Sequence, residues 1–110
     1  MSDLAGLQQR RSQRSFAQWD EELPPELVAQ SEEAVRQLIE RLIALGSEPT
    51  RVQVQTEIDV CVRRFNELDR SREHSWIFTI EREDLGEVLW GLISLCGFDG
   101  SEEWLDERDW

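Results

Sequence analysis

Acid–base chemistry needs paired carboxylates, or a histidine beside a hydroxyl, and this chain offers both only thinly. Glu83 and Glu87 are four apart and would share a helix face. With 24 Asp and Glu in 110 residues, such pairs arise from composition alone, and helix-end charge or a solvated face explains them as well. His74 is the single histidine. Beside Ser71 or Ser75 it could serve as a base, but all three sit in the polar run DRSREHS, where exposed His and Ser are commonplace. The sequence assigns no catalytic residue and reads as a non-enzyme.

Metal and cofactor chemistry fares no better. One histidine, with Cys61 and Cys96 far apart, excludes a structural zinc site. There is no Glu-x-x-His for a di-iron bundle and no Asp-x-Asx-x-Asx-Gly run for a calcium loop. Glycine-rich phosphate loops are absent too, so no cofactor and no metal is expected. Cys61 and Cys96 fall on apolar stripes and read as buried thiols. Gly86 and Gly91, inside a helical pattern, suggest close approach of a neighbouring backbone.

Tryptophan is the residue type that stands out, with five Trp and no Tyr. Trp76 and Trp90 read as core or its edge. Trp104 and Trp110 lie among Glu102, Glu103, Asp106 and Glu107. Two readings stay open for them: an acid-flanked aromatic latch for a basic surface, or large side chains folded back over the core.

The elements that would position these residues are helices. From Trp76 to Phe98 the chain carries a start, a stripe and a stop: Thr79 as N-cap, Glu81, Glu83 and Asp84 in the first turn, then Leu85, Leu89, Leu92 and Cys96. Gly97 fits a left-handed C′ residue, with Phe98 folding back on Ile93. Upstream, Pro24 and Pro25 open a second amphipathic run, Glu26 to Leu45, closed by Gly46. Glu32 and Arg36, then Arg36 and Glu40, are spaced as ion pairs on its wet face.

The stretch RVQVQTEIDVCV fits two templates. Its β-branched residues alternate as in a strand, while Val54, Ile58, Cys61, Phe65 and Leu68 follow a helical seam that outlasts the alternation. Opposite charges at helical spacing, Asp59 with Arg63 and Arg63 with Glu67, tip the reading to a helix over 48–69, with Ser47 to Pro49 as its cap and first turn. Trp76, Ile77, Phe78 and Ile80 predict a short extended segment before the last helix, over 81–96.

The expectation is an all-α fold, a small bundle of three main helices. Residues 1–22 would be a flexible arm, though Phe16 and Trp19 could anchor it, and 23–110 the single helical domain with its acidic tail. A net charge of −12 argues against nucleic acid or an anionic membrane as partner and favours a basic protein. No run suits a membrane span, and MSDLAGLQQRRSQRSF lacks a signal-peptide core, so the reading is cytoplasmic.

The segment Arg64 to Trp110, with RFNELD, TIEREDL and the acidic tail WLDERDW, resembles a group of small acidic bacterial helical proteins. They share a T-x-E-R-E-D-L helix start and a Trp-rich acidic end. The resemblance covers less than half the chain and transfers no catalytic residue. It implies a helical bacterial protein of a style that includes immunity proteins to secreted toxins. The expected function is therefore a noncatalytic acidic binding module, most concretely an immunity-type inhibitor. Its candidate face is Glu81, Glu83 and Asp84 at the helix start, with Glu102, Glu103, Trp104, Asp106, Glu107 and Trp110 in the tail. A self-associating regulatory protein, homodimeric through its apolar stripes, and a carboxylate enzyme are the alternatives.

Overall fold

Leu7, Phe16 and Trp19 are buried, and they turn the first twenty residues into part of the core. Their helix is α1, Leu4–Arg11, in which the Asp3 carboxylate caps the start by accepting the Gly6 amide at 2.9 Å. A 3-10 turn, Ala17–Trp19, follows. Then come α2, Pro25–Ala44, α3, Arg51–Arg70, and α4, Thr79–Leu95, with a second 3-10 turn at Glu102–Leu105. The computed structural model describes residues 1–72 and 75–110, and His74 lies outside the described residues. Among the described residues every regular element is helical, as expected. The count of three helices is corrected to four by α1.

Residues 1–22, expected as a flexible arm, pack against the core through specific contacts. Phe16 stacks on Trp19 with ring centroids 4.1 Å apart and meets the edge of Phe65 at 6.2 Å, while Trp19 meets Trp76 at 5.7 Å. Arg14 grips Asp20 with two hydrogen bonds, at 2.7 and 2.8 Å, and Glu32 with a third at 2.8 Å. Glu32 in turn accepts the Ser15 and Phe16 amides. Further back, the Ser2 amide donates to Ser47 and the Asp3 amide to Leu95, so the segment is stitched to the ends of both α2 and α4.

α2 begins at Pro25, where a missing N–H costs nothing, and buries Leu27, Val28, Ala34, Val35, Leu38, Ile39 and Leu42. Its wet-face pairing differs from the expectation. Arg36 bridges Glu33, three residues back, because Glu32 is taken by Arg14. Gly46, with φ of 85°, turns the chain.

α3 settles the two-template stretch as helix. Its start is Thr50 rather than Ser47: Thr50 Oγ1 accepts the Gln53 amide at 3.1 Å, and Gln53 Oε1 accepts the Thr50 amide at 2.9 Å, a reciprocal capping box. Val54, Ile58, Cys61, Val62 and Phe65 face the core. At its far end the buried Asp69 accepts the amides of Trp76 and Ile77, each at 2.9 Å, which fixes the linker into α4. Trp76 and Ile77 are buried as expected of that linker, but Phe78 and Ile80 point to solvent.

α4 starts with Phe78, not Thr79, in the N-cap position, and the Glu81 carboxylate accepts the Phe78 amide at 3.1 Å. Its end follows the expected stop signal. Gly97 has φ of 90°, its amide donates to Ser94, and the Phe98 amide donates to Ile93, the paired bonds of a Schellman motif. Gly86 lies under the Trp90 ring of its own helix, and Gly91 faces open space, so neither meets a neighbouring backbone.

Candidate functional site

The tail carries most of the expected binding face, and four side chains pin it. The Trp104 indole donates to Asp99 and the Trp90 indole to Ser101, both at 2.9 Å. Asn66 of α3 reaches the last residues, giving its amide to Glu107 and accepting the Asp109 amide at 2.8 Å. Arg70 adds an ion pair to Asp109 at 2.8 Å.

Trp104 and Trp110 are not surface anchors, which corrects the latch reading. Trp104 is fully buried, against Phe98 on one side and under the Arg51 guanidinium, 4.3 Å from its ring, on the other. Trp110 is 7% exposed, with Arg108 over its ring. A domain this small needs these rings inside, and the 3-10 turn Glu102–Leu105 directs Trp104 and Leu105 inward while its acids stay wet.

The remaining carboxylates fall into two groups. Glu103, Asp106 and Glu107 line an open cleft of about 450 Å³ with Arg51, Gln55 and Asp59 of α3. Gln55 sets the wall between them by donating to both Asp59, at 2.8 Å, and the Trp104 carbonyl, at 2.9 Å. Asp59 was missed from the sequence as a site residue. Its spacing to Arg63 suggested an ion pair, whereas the structure turns it toward the tail. Glu83 and Glu102 meet in a second cleft of about 170 Å³ with Glu87, Trp90, Arg82 and Arg108. Here Arg108 approaches Glu102 at 3.9 Å.

Glu81 and Asp84 leave the expected face. Glu81 holds the start of α4, and Asp84 accepts the Trp19 indole N–H at 2.8 Å. Both are engaged by hydrogen bonds within the fold.

Among the described residues no three His, Cys, Asp or Glu side chains are grouped as metal ligands. Cys61 and Cys96 are free and buried. Burial pushes the Cys61 thiol up to about 12, and Cys96 is raised by the same cause, so neither is a ready nucleophile. No helix among the described residues is long and apolar enough to cross a membrane. Taken together, the helical fold and its solvated clefts define a small all-α protein with acidic recesses on a pinned tail. No family model, curated protein or solved structure matches the chain.

Proposed function

We propose that the chain is a noncatalytic binding module for a basic protein, most concretely an immunity-type inhibitor that covers a cationic toxin site with its carboxylates. What supports the reading is the convergence of Asp59, Glu103, Asp106 and Glu107 from two elements onto one cleft, in a chain of net charge −12. The carboxylates ride on backbone held by Asn66 and Gln55, so little ordering is needed when a partner docks. The net charge speeds encounter by steering, and the cleft supplies the close contacts. Partners with a negative surface are repelled by the same field.

The test is affinity capture from the source cell's lysate at low salt, with salt-step elution, run in parallel on the native chain and on a Glu103→Gln, Asp106→Asn, Glu107→Gln variant. A basic protein held by the native chain, released by salt and lost by the variant supports the reading. Retention that ignores both salt and the triple substitution would sink it.

A further inference from the structure

α3 carries two apolar stripes, and this is the origin of its alternating sequence. Val54, Ile58 and Val62 face the core. Val52, Thr56 and Val60 also recur at steps of four, on the opposite side of the helix, and all three are exposed, Val52 at 75% and Val60 at 47%. Thr56 does not interrupt that outer stripe. Its hydroxyl donates to the Val52 carbonyl at 2.9 Å, which satisfies the polar atom within the helix and leaves the methyl outward.

Beside Val60 the stripe runs into a groove of about 430 Å³ between α2 and α3, lined by the buried Ala34, Leu38 and Cys61. The charged side chains around that groove are Glu40, Glu57, Arg41 and Arg64, two of each sign. Arg41 and Glu57 pair at 3.1 Å. Along the stripe Asp59 and Arg63, three residues beyond Thr56 and Val60, add one charge of each sign, so among the described residues the face is locally neutral in a chain of net charge −12.

That balance decides what covers it. A cationic partner is drawn to the carboxylate clefts, not to a neutral apolar strip. Two copies of the same acidic chain repel over most of their surfaces and approach at least cost where local charge cancels and apolar area is exposed. We propose that the Val52–Thr56–Val60 stripe and the groove beside it are the contact face of a two-fold homodimer.

Crossing two α3 helices antiparallel at Thr56 sets Val52 of each copy against Val60 of the other, which is the self-complementarity that an isologous interface requires. Val52 of the second copy then lies at the mouth of the groove. Asp59, three residues beyond Thr56, borders the stripe on its acidic-cleft side, so the two faces are neighbours on α3, and the pairing uses none of the tail carboxylates Glu103, Asp106 and Glu107.

Sedimentation equilibrium of the full chain over two decades of concentration tests this. The mass should climb from 12.9 kDa toward its double. Val52→Glu and Val60→Glu, both at exposed positions, should each raise the dimer dissociation constant about tenfold or more while leaving the circular dichroism and melting of the dilute chain unchanged. Thr56→Cys should cross-link into a dimer under mild oxidation faster than Glu83→Cys on α4, the native Cys61 and Cys96 being buried. A mass fixed at 12.9 kDa, a dissociation constant indifferent to both Glu substitutions, or equal cross-linking of the two cysteine variants overturns the proposal.

Discussion

The Trp19 indole N–H donates to the Asp84 carboxylate at 2.8 Å, across 65 residues of chain. The bond joins the N-terminal segment to the second turn of α4. Asp84→Ala leaves the indole donor unpaired and is expected to cost about 1–3 kcal/mol. Asp84→Asn keeps a carbonyl acceptor and should cost less. Urea midpoints in the order native, Asn, Ala would agree; an Ala variant as stable as the native chain would show the bond to be idle.

Trp104 sets a contrast between fold and binding. Because its ring is fully buried between Phe98 and Arg51, Trp104→Ala should lower stability by about 3–5 kcal/mol, the cost typical of emptying an aromatic core site. Thermal unfolding monitors it. A variant that melts like the native chain but loses a partner would return Trp104 to the surface role first read from the sequence.

Acid should release the Arg14 clamp selectively. The Asp20 carboxyl is held below its ordinary 3.8 by hydrogen bonds from Arg14. A group lowered in the folded state contributes stability above its unfolded value, and that contribution disappears as the pH falls through the lower, folded value. The stability gap between the native chain and Asp20→Asn should therefore be full at about pH 6 and shrink as the pH falls below the ordinary 3.8. A difference between two chains is the right readout, since protonating other carboxylates also relieves the self-repulsion of the −12 chain. A gap that is unchanged by acid contradicts the assignment.

Two glycines of the same region should respond oppositely to alanine. Gly97 has φ of 90°, and a Cβ there would come within 2.7 Å of the Met1 nitrogen, so Gly97→Ala is expected to cost more than about 1 kcal/mol. Gly91 sits within α4 facing open space, and Gly91→Ala should add about 0.5–1 kcal/mol. Melting temperatures moving apart in this sense check both; a shift of the same sign would refute the pair.

What could be read from the sequence was whatever is decided within one turn of helix. Pro25 and Gly97 act on their immediate neighbours, so the opening of α2 and the close of α4 were legible. Starts set by competing polar residues were displaced slightly, Thr50 winning over Ser47 because Gln53 completes its box. The interior of α3 read two ways because it bears a stripe on each side. Residues whose partners lie far along the chain gave no local sign. Phe16 needs Phe65, Trp19 needs Trp76 and Asp84, and Trp104 needs Arg51; without those neighbours, burial cannot be told from exposure. The division of the carboxylates into two clefts depends in the same way on Asn66 gripping the tail.

The stitching of Ser2 to Ser47 and of Asp3 to Leu95 also orders events during synthesis. Ser2 can meet Ser47 as soon as α2 and its turn exist, but Asp3 finds Leu95 only after α4 has been completed. The α2–α3 hairpin can pair before α4 is made, whereas the opening segment docks fully only once α4 is present.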